Sequence, residues 1–164
     1  MRLKILISFL VVFALATVAS AQTKVSGTLQ CAKPDQQQAI EVGDRPNHSF
    51  VIGQFKCTWT KPLEIAGLQS KEDVYTSFSE VSGNRSHGEV YGVVTMTNGD
   101  KCYVRPQGSA TLKDGVLESA EGTSSFVGGT GKLKGLKGKG TYKGKGAPDG
   151  TSTYEIECEY ELPK

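Results

Sequence analysis

The chain has 164 residues, of which 37% are apolar and 22% charged; this suffices for one hydrophobic core and is too short for two domains of ordinary size. Twenty glycines against six prolines point to a turn-rich fold, and the apolar content excludes a disordered, collagen-like or coiled-coil chain. The formal charge of +2 falls to zero once Arg2 and Lys4 are removed with the first 21 residues, and a balanced chain excludes general nucleic-acid binding, which needs an excess of positive charge.

Residues 1–21 read as a signal peptide. Arg2 and Lys4 supply the positive start, residues 5–18 the apolar run, and Ala19-Ser20-Ala21 the small residues before cleavage at Gln22. The run is shorter than the roughly 20 residues that cross a bilayer, so no membrane anchor is expected after cleavage. The expected location is secreted or periplasmic, and residues 22–164 form one domain.

From Gln22 onward, short alternating segments are separated by turn residues, and no stretch carries a sustained period of 3.6. The predicted strands are 24–31, 49–60, 74–82, 88–97, 100–112, 115–126, 137–146 and 151–161. Segments 33–47 and 61–73 are predicted as irregular connections that cover the ends of the fold. Asn98-Gly99 and Asp114-Gly115 suit two-residue type I′ turns. Pro148-Asp149-Gly150 suits a three-residue loop with a left-handed glycine. That odd loop sets Lys143 opposite Glu155, Thr141 opposite Glu157, Lys139 opposite Glu159 and Lys137 opposite Glu161 on a solvent face, with Ile156, Cys158 and Tyr160 on the other.

Parity places Cys31 with Val25, Gly27 and Leu29, Cys57 with Phe55 and Trp59, and Cys102 with Val104, all on one inner side. The fold expected is an all-β, eight-stranded antiparallel up-and-down β-barrel, with a two-sheet β-sandwich as the alternative. Such a barrel is either filled or holds one small ligand. Gly138, Gly140, Gly144 and Gly146 around Tyr142 leave room on the inner face. Phe55, Trp59, Tyr142 and Tyr160 are the expected contacts for a small apolar or aromatic molecule, since they offer the largest apolar surface there.

Four cysteines in an exported chain read as two disulfides. Three pairings are possible; Cys31–Cys57 with Cys102–Cys158 is favoured because each closes within one half of the chain. No zinc spacing is present, and no metal site is expected. The run from Gly128 to Gly146 lacks both phosphate-loop patterns. His87 with Ser86 or Asp100 makes no triad, so no catalytic residue is assigned. Glu89 and Tyr91 would form an acid/base pair only if their face were interior. Lys132 and Lys134 lack facing acids and are the one candidate for weak polyanion binding; a non-catalytic envelope protein with a filled barrel is the other alternative function.

The segment Ser125-Phe126-Val127-Gly128-Gly129-Thr130-Gly131-Lys132-Leu133-Lys134-Gly135 resembles the F-x-G-G-T-G-x-F/L-x-G turn of allene oxide cyclases and dirigent proteins. The whole mature chain is also similar to small exported bacterial proteins of unassigned activity. The resemblance implies an eight-stranded barrel that needs no cofactor and takes an apolar or phenolic ligand. If the protein is an enzyme, it implies a cyclase or isomerase that steers cyclisation or coupling by geometry.

Overall fold

The computed structural model describes residues 22–163, so the expected leader lies outside the described residues. In chain order the strands are β1 (Thr23–Cys31), β2 (Gln36–Glu41), β3 (His48–Lys61), β4 (Glu64–Ile65), β5 (Leu68–Ser82), β6 (Arg85–Met96), β7 (Lys101–Lys113), β8 (Val116–Gly129), β9 (Lys137–Gly146) and β10 (Ser152–Glu161). A short 3-10 turn, Gly131–Leu133, joins β8 to β9. Each of the eight expected strands forms, and β2 and β4 are additional.

β1, β3, β5, β6, β7, β8, β9 and β10 follow one another around an antiparallel barrel, and β10 returns to β1. This closure rules out the sandwich. The final ribbon has the register that the three-residue loop dictates, with Lys143↔Glu155, Thr141↔Glu157, Lys139↔Glu159 and Lys137↔Glu161. Its loop is closed by the Ala147 N–H to the Thr151 carbonyl at 2.8 Å, with Gly150 at φ 86°. Asp114 (φ 53°) and Gly115 (φ 78°) form the expected two-residue turn.

The Asn98-Gly99 connection differs. The Met96 N–H bonds the Asp100 carbonyl at 2.8 Å, leaving three residues in the loop, and only Gly99 has positive φ. Asn98 is held in place because its side-chain oxygen accepts the Asp100 N–H at 3.0 Å, a local bond that competes with the left-handed conformation a type I′ turn would demand.

Segment 33–47 is not irregular throughout. Gln36–Glu41 pair with the first half of β3, along the edge whose second half pairs with β1. Every residue of β2 is exposed, so its sequence carries no in-and-out alternation to mark it as a strand. The loop after it is pinned by buried His48, whose Nδ1 and Nε2 face Asp44 and Glu80, the latter at 2.8 Å. Arg45 bridges the same two carboxylates. Above all the hydrogen bond to Asp44 raises the imidazole pKa. The stability that His48 adds is therefore lost as pH rises through its raised pKa, while the part carried by Asp44, whose pKa the same bond lowers, is lost as pH falls.

Segment 61–73 does close one end. Leu63, Ile65 and Leu68 are buried there with Leu133, Leu136, Met96 and Cys102. The Ala66 N–H donates to the Tyr160 hydroxyl at 3.0 Å, which ties the β4–β5 turn to β10.

Cys31 and Cys57, register partners on β1 and β3, form a disulfide. Cys102 and Cys158 are buried free thiols, contrary to the second expected bridge. They stand on β7 and β10, three strands apart around the barrel. At about 4.8 Å per strand their backbones lie beyond the ~7 Å that a disulfide spans.

Inside the barrel, bulky residues face glycines across the register. Tyr75 pairs with Gly92, Tyr142 with Gly122, Tyr154 with Gly144, Cys158 with Gly140 and Phe126 with Gly138. A Cβ on Gly92 or Gly144 would stand 2.4 Å from the ring of Tyr75 or Tyr154. The inner glycines of β9 thus leave space that neighbouring side chains occupy. Gly144→Ala should lower stability by about 1–3 kcal/mol, read from the urea midpoint. Peptide mapping without reduction should find Cys31 linked to Cys57, with Cys102 and Cys158 alkylated only after unfolding.

Candidate functional site: the barrel cavity

The barrel encloses a cavity of about 190 Å³. At its closed end are Trp59, Leu63, Tyr75, Val94, Phe126 and Cys158; toward the other end the lining on β5 to β8 is mostly small, with Ser77, Ser79, Ser86, Gly88, Gly108, Ala110 and Ala120 beside Leu117. Small residues on four consecutive strands, β5 to β8, leave that end as the mouth. The aromatic walls follow from the glycine pairing. The Tyr142 ring reaches across Gly122 to Gly108, because its hydroxyl would stand 2.6 Å from a Cβ on Gly108. Phe55 stacks on Tyr75 with centroids 5.5 Å apart, and Tyr142 meets Tyr154 edge-on at 6.1 Å. Rings laid along the wall leave a lumen that is narrow and flat-sided.

Three of the four expected contacts, Phe55, Trp59 and Tyr142, line this cavity. Tyr160 does not. It points inward near the closed end, where its hydroxyl is taken up by Ala66. Tyr75, Tyr154 and Ile156 complete the wall and were not singled out from the sequence. Tyr154 has the same parity as Ile156 and Cys158, so its alternation already carried the signal. Glu89 and Tyr91 lie on the outer face, where Tyr91 stacks on Tyr103 and sits under Arg105; they are no interior acid/base pair. The Lys132 backbone N–H donates to Asp100 at 3.0 Å, and its ammonium group helps to hold the Asp100 carboxyl below its ordinary pKa, after the larger effects of Asn98 and that backbone bond. Lys132 therefore has an acidic neighbour, which sequence alone did not assign to it.

The polar part of the site is a carboxyl the sequence reading passed over. Asp73 is 1% exposed. Its Oδ1 accepts the Trp59 indole N–H at 2.7 Å, and its Oδ2 accepts the Tyr75 hydroxyl at 2.8 Å. Both donors are cavity walls. A strand beginning at 74 excludes Asp73, whereas β5 begins at Leu68, and its alternation puts Asp73 on the inner face with Tyr75 and Ser77. Burial pushes the Asp73 carboxyl up to about 7 against the pull of its two donors, with a smaller push from Glu72. Burial likewise pushes the Cys102 thiol to about 12 and the Cys158 thiol to about 11. Both remain protonated and poorly nucleophilic at neutral pH.

No family model and no curated protein matches the sequence. Among solved structures, the fold is similar to a protein of unknown function from the DUF3224 family of Shewanella oneidensis, at 18% identity and TM-score 0.51, covering 88% of this chain and all of that one. It is also similar to a pyocyanin demethylase, at 20% identity and TM-score 0.44, covering 82% of this chain and 99% of that one. What the chain shares with the DUF3224 protein is its fold.

The raised Asp73 pKa fixes a sign. Between about pH 4 and 7 the folded protein holds a proton that the unfolded chain releases, so stability falls as pH rises through this window. Asp73→Asn keeps an acceptor for Trp59 and supplies an N–H to the Tyr75 oxygen. Thermal unfolding should show it gaining on the parent as pH rises, by up to a few kcal/mol near pH 8.

Proposed function

We propose that the protein is an exported barrel that binds one small planar molecule, apolar or phenolic, inside its lumen and holds it in a single orientation. The observation that carries this reading is the cavity of about 190 Å³ walled by Phe55, Trp59, Tyr75, Tyr142 and Tyr154. An apolar cavity of about 150 Å³ takes benzene, so this one suits a single substituted ring or a fused pair. Flat walls on opposite sides favour a planar guest, since stacked or edge-on ring contacts add about 0.5–1.5 kcal/mol each. The resemblance to allene oxide cyclases and dirigent proteins extends the proposal to steering a ligand's cyclisation or coupling by shape, without a cofactor.

Trp59 is the sole tryptophan and lies in the wall, so it reports occupancy directly. Calorimetry with 1-naphthol should give a saturable one-to-one isotherm, accompanied by a change in Trp59 emission. Ala120→Phe, which carries a ring into the lumen, should abolish both while leaving the circular dichroism spectrum unchanged. Absence of heat and of any emission change in the parent protein would overturn the reading.

A further inference from the structure

We infer that the pair Asp73–Tyr75 makes the cavity a switchable hydrogen-bonding site, selecting planar ligands that carry an acceptor when Asp73 is protonated and ligands that carry a donor when it is ionised. This rests on the proposed binding of planar molecules in the lumen and adds the polar chemistry that would sort them. The geometry behind it is a shared membership: Tyr75 belongs both to the cavity wall and to the hydrogen-bond set of a carboxyl that is 1% exposed.

The two states differ by one proton. With Asp73 ionised, both oxygens only accept; Trp59 donates to Oδ1 and the Tyr75 hydroxyl to Oδ2. The hydrogen of Tyr75 is then committed, and its oxygen offers a guest lone pairs alone. With Asp73 protonated, Trp59 still occupies Oδ1, so the acid proton lies on Oδ2 and donates to the Tyr75 oxygen. The Tyr75 hydrogen turns away and is free to bond an acceptor on the guest, such as a ring nitrogen or a carbonyl. In the protonated state the proton remains on the Asp73 carboxyl while the guest binds, and the proton lost when Asp73 ionises goes to solvent.

The surroundings leave Asp73 as the group in this cluster that changes state near neutrality. On its own strand it is flanked by Glu72 and bonded to Tyr75, whose pKa burial pushes well above 10. From β7 it is faced by Cys102, and Cys158 on β10 stands near Tyr75; both thiols are neutral in this range. From β3 come Trp59 and the disulfide-bonded Cys57, and from β6 its register partner Val94, none of which titrates there.

The test uses two neutral probes of equal size, 1-naphthol as donor and isoquinoline as acceptor, titrated into the full mature protein between about pH 6.5 and 8.5, with naphthalene as the control lacking either group. Isoquinoline should bind about tenfold more weakly at the upper pH and 1-naphthol more tightly, while naphthalene is unchanged. Asp73→Asn, whose side-chain N–H mimics the protonated acid toward Tyr75, should flatten both trends and keep isoquinoline at its acid-side affinity. Tyr75→Phe should erase the discrimination between the probes and retain naphthalene. Should Asp73→Asn fail to fold, the carboxyl carbon of Asp73 followed by NMR in the parent gives the reciprocal reading: isoquinoline raises its titration midpoint and 1-naphthol lowers it. Identical pH trends for both probes, or a midpoint unmoved by either, would overturn the switch and leave the cavity standing. Failure of all three molecules to bind at any pH would remove the cavity reading itself, and the switch with it.

Discussion

The structure depends on a steric pairing repeated on β5, β6 and β8 to β10: five inward side chains each face a glycine at the register position of a neighbouring strand. The pairs are Tyr75 over Gly92, Tyr142 over Gly122 and Tyr154 over Gly144, together with the smaller Phe126 with Gly138 and Cys158 with Gly140. An eight-stranded barrel has an interior just wide enough for its side chains to fill. If the rings stood upright they would meet at the axis and close the lumen. Laid over glycines they lie along the wall, and the space they vacate is the cavity. The glycines, costly to the unfolded-state balance elsewhere, are here the means by which a small barrel keeps an interior.

Behind two of the cavity walls, the buried Asp73 carboxyl is held by hydrogen bonds. Asp73 sits where desolvation is strong, yet it has two hydrogen-bond donors, and no buried side-chain polar atom among the described residues lacks a partner. A buried carboxyl with satisfied bonds is tolerated most cheaply as the neutral acid, which is the direction its pKa takes. Trp59 and Tyr75 serve twice, as apolar walls toward the lumen and as donors toward the acid. The proposed guest, by pressing on those walls, would act on the acid's hydrogen bonds.

Much of this was legible in the sequence because strand parity is a strict signal wherever one face is wet and the other is not. The Lys and Glu rows of β9 and β10 fixed the final ribbon, and with it the inward sense of Tyr142, Ile156 and Cys158. Parity failed where the contrast vanished. β2 is wet on both faces, so Gln36–Glu41 read as loop. The start of β5 sits at the sealed end, where Ser70 and Asp73 are buried polar residues that break the expected pattern, and the acid at the heart of the site was lost with that boundary. The Cys102–Cys158 bridge rested on proximity along the chain, which says nothing about two strands on opposed walls. Tyr160 shares the inward parity of Ile156 and Cys158 but lies near the closed end, and height along a barrel is set by shear, which alternation does not encode.

Binding in the lumen requires that it be empty of protein and accessible. Xenon-pressurised crystals of the mature chain measure this directly, since xenon enters dry apolar cavities with little disturbance of the walls. One ordered xenon site bounded by Phe55, Tyr142, Tyr154 and Ile156 is the predicted result. A lumen closed by rings turned inward, with no xenon density between them, would contradict it.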